Sequence, residues 1–397
     1  MNIDRFRQPS KLLVYLLIMM HALTACVGSQ SKPTATGPQL ASSFEEQASE
    51  VTYSGPRLDV IIPAFSPGLS EDEANYEEEG IWPELRRAEA NRFAYKLKQA
   101  LEDTGKFGAV RVTPDNTASG DLYVLGEIVE SNGMDLEFDM EVVDISGKQW
   151  LDENIEHEVS EGFYKNPRNE GKDAYDPAFE EAANRIVAAL LEQQQRRLAE
   201  LKQIADLRFG ASFNEQAFLP YLNTDAQPMT VTAMPSDADP LFQRVKSVRV
   251  REQLFIDNLQ QDYSGFSQQM EDSYLVWQKA SFTEMQLRKE AKTKSWMKIA
   301  GGVLLGAAAI ADIAAVAAGV GGAVLINSGF TSREEAKMHQ DAINELGESV
   351  NLEMSPQVIS FEEKTVELTG DVEEQFQQWR AFMAQMYELE ATPETQL

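Results

Sequence analysis

Apolar and polar positions change their spacing several times along this chain, and each change marks an element. Leu12 to Met20 is an unbroken apolar stretch behind Arg5, Arg7 and Lys11. Residues 27–56 lose apolar periodicity and are rich in Ser, Thr, Gln, Pro and Gly, the composition of a tether. Leu58-Asp59-Val60-Ile61-Ile62-Pro63-Ala64-Phe65 then reads as a buried strand ended by proline. An acidic loop follows, with Glu71, Asp72, Glu73, Glu77, Glu78 and Glu79. Pro83 opens a helix as its first residue. Leu85, Ala88, Phe93, Leu97 and Leu101 form its apolar face, and Thr104-Gly105 closes it. Val110-Arg111-Val112 is a short strand. Leu122 to Val129, Leu136 to Val143 and Gln149 to Val159 read as three longer strands. Ser131-Asn132-Gly133 and Ser146-Gly147 separate them with hairpin chemistry. Phe179, Ala182, Ile186, Ala189 and Leu190 predict one helix from Pro177 toward Leu207.

The second half is spaced for helices. Residues 209–238 are loop-rich (Pro220, Pro228, Pro235) and are expected to link two units. Leu254, Leu259, Phe266, Met270, Trp277 and Met285 recur at mostly helical intervals, with Tyr263-Ser264-Gly265-Phe266 as a candidate kink. Two uses stay open for this helix: packing on its own chain, or pairing with a partner helix. Thr331 or Ser332 is a candidate N-cap for a helix toward Leu346-Gly347. Val358-Ile359-Ser360-Phe361 and Thr365-Val366-Glu367-Leu368 suggest a small hairpin. A last helix from Asp371 toward Leu389 carries Phe376, Trp379, Phe382 and Met386 on one side, and is expected to pack on the long helix.

Ile299 to Asn327 stands apart, with one charge, Asp312, in 29 residues. Gly302 and Gly306 form a Gly-x-x-x-Gly step. Ala315 to Gly319 and Ala318 to Gly322 repeat the small-residue spacing that lets helix backbones approach closely. Three readings remain open: a single span, a hairpin dipping into one leaflet, or a helix packed inside a domain or homo-oligomer. The flank of Arg288, Lys289, Lys292, Lys294 and Lys298 would resist placement on the non-cytoplasmic side of a span.

Cys26 is the only cysteine, and it ends the run Leu23-Thr24-Ala25-Cys26 behind the apolar stretch. Basic, apolar and small residues in that order have the layout of a signal peptide. The run resembles the lipobox of bacterial lipoproteins. That resemblance implies cleavage after residue 25, a diacylglycerol on the Cys26 thiol and an acylated amino terminus. Val27, where the family carries Asp for inner-membrane retention, implies the outer membrane with the chain facing the periplasm. The formal charge is −29, and loss of residues 1–25 removes Arg5, Arg7 and Lys11 against Asp4, leaving about −31. Such a chain is a poor match for nucleic acid, whose binding rests on Lys and Arg neutralising phosphates.

The order strand, helix, strand, three-strand meander, helix resembles a periplasmic α/β domain. That domain is shared by the TolB amino-terminal region, the curli-secretion lipoprotein and the lipoprotein activators of penicillin-binding proteins. The residues that carry it are Val60 to Phe65, Lys106-Phe107-Gly108-Ala109-Val110, Gly120 to Ile128 and Val143-Asp144-Ile145-Ser146-Gly147-Lys148. It spans roughly 57–160, and the long acidic loop departs from the family's compact pattern. The resemblance implies a domain that binds protein partners or assembles into rings.

The fold expected is therefore α+β: a small mixed sheet with flanking helices, then a mainly helical region with a Gly/Ala-rich helix or hairpin. The divisions expected are signal peptide 1–25, tether 26–56, α/β domain 57–208, linker 209–238, helical region 239–348 and a hairpin with helix over 349–397. His157 and His339 are the histidines beyond the signal, and no Cys/His cluster has metal spacing. No cofactor, metal or catalytic residue is expected. Acidic residues are so common that carboxylate pairs do not single out a hydrolase. The expectation is a non-enzymatic lipoprotein, joined to the membrane through Cys26, that binds envelope proteins and no nucleic acid. The alternative is a membrane-inserting homo-oligomer built on 299–327.

Overall fold

The computed structural model describes residues 53–70, 76, 81–300, 357–361 and 364–391. From Gly55 onward these belong to one unit. Its centre is β1 (Val60–Pro63), four residues buried on both faces, as a parallel strand inside a sheet requires. Helix α1 (Pro83–Asp103) starts at Pro83 and ends before Gly105, whose φ of 64° suits the left-handed position after a helix. The chain then returns as β2 (Val110–Thr113), parallel to β1 with Val60 opposite Val110.

Residues 114–121 cross over β1, and β3 (Leu122–Ser131) joins its other side, also parallel. Gly120 is required in this crossing, because a Cβ there would lie 2.4 Å from the Ile61 side chain. β4 (Asp135–Asp144) and β5 (Gln149–Glu158) complete an antiparallel meander. The sheet order is β2-β1-β3-β4-β5.

Alternation gives the meander one apolar face. Val124, Ile128, Leu136, Phe138, Met140, Val142 and Ile155 are buried. α1 and α2 (Asp176–Glu192) cover that face, with the Phe138, Phe179 and Phe93 rings in sequence at 5.7 and 5.3 Å. Each buried phenyl removes apolar area worth about 2–3 kcal/mol. Gly126 leaves room for the Phe65 ring, which a Cβ would meet at 2.5 Å.

The single helix expected from Pro177 to Leu207 is two helices. Gln193 and Gln194 take extended ψ values of 142° and 134° between α2 and α3 (Gln195–Phe213). The break has a topological reason. α2 serves the apolar face, whereas α3 lies against the opposite one, where Lys202 reaches Asp121 and the Arg208 guanidinium donates to the Ile145 carbonyl. Residues 209–238 hold the end of α3, a short helix α4 (Glu215–Phe218) and a hairpin of β6 (Leu222–Asn223) and β7 (Thr230–Val231).

Helix α5 (Pro240–Ala300) is continuous over 61 residues, and Gly265 sits within it without ending it. Asp239 caps it, accepting from the backbone N–H groups of Leu241 and Phe242. The expected C-terminal hairpin is present as β8 (Gln357–Phe361) and β9 (Lys364–Leu368). Helix α6 (Val372–Ala391) packs on α5, with Trp379 stacked on Phe255 at 5.1 Å, and Tyr387 touches Phe213 of α3. Thus the described chain is α+β, with a mixed five-stranded sheet, flanking helices and a helical C-terminal region. Among the described residues no helix is long and apolar enough to cross a membrane. Cys26, Gly302, Gly306, Ala315, Gly319 and Gly322 lie outside the described residues, as do residues 26–52 of the tether, most of the acidic loop and the helix expected near 331–347.

Candidate functional site

The outward side of the meander is the most distinctive surface of the described chain. Its positions alternate with the buried ones: Tyr123, Leu125 and Glu127 on β3, Glu137, Asp139, Glu141 and Val143 on β4, and Asp152, Asn154 and Glu156 on β5. The register sets like charges opposite one another: Glu127 faces Asp139, Glu141 faces Asp152, and Glu137 faces Glu156. Directly opposed like charges destabilise a sheet. Asn154 relieves part of this, donating from Nδ2 to Glu137 at 2.9 Å and to Asp139 at 2.8 Å.

Toward α3 the acidic face runs into a groove of about 580 Å³. Tyr123, Leu125 and Val143 form its floor, with Ala205 and Phe209 of α3 along one wall and residues 116–119 along the other. The 116–119 wall is itself anchored from outside: Arg249 donates to the Ser119 hydroxyl at 2.9 Å, and Arg380 of α6 donates to the Thr117 carbonyl. Glu252 lies buried on α5, 3.7 Å from Arg380, and burial raises its carboxyl to about 7 against the pull of that arginine.

A second polar network ties α1 to α5 behind the sheet. Arg92 is fully buried and pairs with Asp173 at 2.6 Å and with Glu271 at 2.6 Å, with Tyr274 under its guanidinium. Burial opposes the charge of Arg92, but Asp173 and Glu271 more than offset it and hold the group protonated. Burial likewise acts to raise Asp173, and Arg92 and Lys96 overcome it, so its carboxyl sits below the ordinary value. Glu89 lies beside this pair, accepting from Ser131 at 2.5 Å and from Tyr274 at 2.8 Å. Burial dominates there and lifts it to about 7, although Arg86 acts against the shift at 3.9 Å. Gln278 adds a third tie, donating to Asp173 at 2.9 Å. Side chains from α1, α5 and the turn before α2 thus bond one another, and Ser131 joins the end of β3 to them.

His157 is satisfied locally, with Nε2 3.0 Å from the Ala174 carbonyl. Among the described residues no group of His, Cys, Asp and Glu is arranged to hold a metal ion. The acidic face escaped the sequence reading, which described its three strands without assigning their outward residues to a surface. The signal was available in the alternation of Glu137, Asp139 and Glu141 and of Asp152, Asn154 and Glu156.

No protein-family model, curated protein or solved structure matches the chain.

Proposed function

We propose that this protein is a lipid-anchored lipoprotein of the outer membrane that faces the periplasm. There it would act as a non-enzymatic scaffold or recruiter for an envelope assembly, secretion or wall-synthesis machine. The observation that carries the reading is Leu23-Thr24-Ala25-Cys26 behind a basic and then apolar leader. The finer fold assignment, a TolB amino-terminal-like domain, belongs to the same proposal. The β1-α1-β2 unit followed by the β3-β4-β5 meander supports it. The buried network of Arg92, Asp173 and Glu89 suits a rigid binding body, and the acidic meander face suits protein partners.

Anchoring through several acyl chains needs no spanning helix, since each buried methylene contributes about 0.8 kcal/mol. The test is site-specific photo-crosslinking in cells, with the reactive side chain placed at Glu127, Asp139 or Glu156. Discrete envelope-protein adducts at these positions and none at exposed Leu191 support a recruiter. Equal adducts at all four positions, or none, count against it.

The Gly/Ala segment favours a second reading, a membrane-inserting oligomer. Vesicle leakage that persists after Cys26→Ser but vanishes on deletion of residues 299–327 would establish that reading. Leakage insensitive to the deletion would remove it.

A further inference from the structure

The two edges of the sheet are treated differently. At β2, α5 covers the edge, and its Gln260 side chain bonds both backbone groups of Val112. Arg111 beside it is held by Asp257 at 2.6 Å. At the other edge lies β5, a ten-residue strand. Its hydrogen-bonding parity follows from its neighbours. The Val159 N–H donates to the Met134 carbonyl, and the Asn132 N–H donates to the Asp135 carbonyl. Continuing each register, the even residues of β4 bond β5 and its odd residues bond β3. The odd residues of β5 are therefore used by β4. The backbone N–H and C=O groups of Asp152, Asn154 and Glu156 point away from the sheet. All three side chains are exposed.

We propose that β5 accepts an added strand, and that its occupant is an extended basic segment of another protein. This backbone row, unpaired among the described residues, supplies the main-chain bonds of strand addition, and the side chains select the partner. Cations on alternate residues of an added strand would stand beside Asp152 and Glu156, next to the carboxylates of β4. Opposite-charge neighbours across strands stabilise pairing, and like charges oppose it. A second copy pairing through its own β5 would set carboxylate rows against each other, so self-addition is disfavoured. A cation of the chain itself already meets the outward carboxylates of β5: Lys289 pairs with Glu158 at 2.7 Å. This inference rests on the recruiter reading and names its partner class, but it does not depend on the lipid.

The probe is an acetylated eight-residue peptide alternating Lys with Val or Thr, added to the full chain in detergent. Two companions carry Glu in place of Lys, or N-methyl groups on alternate residues. The expected result is slowed amide exchange at Asp152, Asn154 and Glu156. N-methylation should weaken binding roughly tenfold or more, because it removes several main-chain hydrogen bonds at once. Glu156→Lys should weaken the Lys peptide and strengthen the Glu peptide, a reversal that misfolding does not produce. Equal binding of the N-methylated peptide, protection elsewhere, or self-association through β5 would overturn the proposal. The Cys26→Ser chain, run in parallel, should bind the peptide unchanged. Failure of anchoring and failure of strand addition are thereby separate results.

Discussion

Gln260 presents both ends of its side-chain amide to one backbone position. Its Oε1 accepts from the Val112 N–H at 2.9 Å, and its Nε2 donates to the Val112 carbonyl at 2.9 Å. A helix side chain thus takes the place of a neighbouring strand and closes an edge that would otherwise invite pairing. Gln260→Leu should leave both groups without these partners beneath α5 and cost about 2 kcal/mol. The urea midpoint of unfolding, with its slope unchanged, reads this directly. An unshifted midpoint would show that the amide is incidental.

The pair Arg92–Asp173 sets a larger effect. Arg92→Leu removes the closest cation of a buried carboxylate and leaves it only Lys96 at 3.5 Å, which should cost about 3 kcal/mol. Asp173→Asn combined with Arg92→Leu should cost less than Arg92→Leu alone. A double-mutant cycle on thermal unfolding checks it, and strict additivity would contradict the coupling.

Burial raises Glu89 from 4.5 to about 7. The group is therefore easier to protonate folded than unfolded. The stability it contributes is complete below about pH 4.5 and is lost as pH rises through about 7. Glu252, raised to about 7 by its own burial, adds a change of the same sign. Unfolding free energy should fall between about pH 4.5 and pH 7, and Glu89→Gln should flatten part of that fall. If the variant keeps the wild-type pH profile, the assignment to Glu89 is contradicted.

Gly133 marks where the β3–β4 turn meets α5. Its φ is 86°, and a Cβ there would lie 2.5 Å from that of Ser281 and 2.9 Å from the Gln278 backbone oxygen. Gly133→Ala should cost about 2–4 kcal/mol through left-handed strain and forced separation. By contrast, Gly147→Ala should cost only the strain, about 1 kcal/mol, because nothing lies within 4 Å of its Cβ position. Equal losses from the two substitutions would argue against close approach at Gly133.

The fold was legible where local chemistry and periodicity agreed. Val60 to Phe65, the Pro83 start, the Gly105 stop and the alternation of Leu136, Phe138, Met140 and Val142 all declared their elements. The break at Gln193-Gln194 was not legible, because neither residue is a helix breaker and apolar residues continue on both sides. It exists because α2 and α3 must serve opposite faces of one sheet. The polar networks were hidden for another reason. Arg92, Asp173 and Glu89 carry no signal in the local pattern, because their partners lie 42 to 185 residues away along the chain. Gln260 looked like one polar residue on a helix, and only the topology shows that it faces an edge strand. The site residues read from the sequence, Cys26 and the Gly302-to-Gly322 ladder, lie outside the described residues, so their roles rest on sequence chemistry.

The anchor is the centre of the functional account, and intact mass analysis of the amino-terminal peptide from purified outer membranes tests it most directly. The account expects a peptide beginning at Cys26, with a diacylglycerol on its thiol and an acyl group on its amine, and Cys26→Ser should leave the leader attached and the protein outside that fraction. An amino-terminal peptide without lipid, or a Cys26→Ser protein of mature size in the outer membrane, would contradict it.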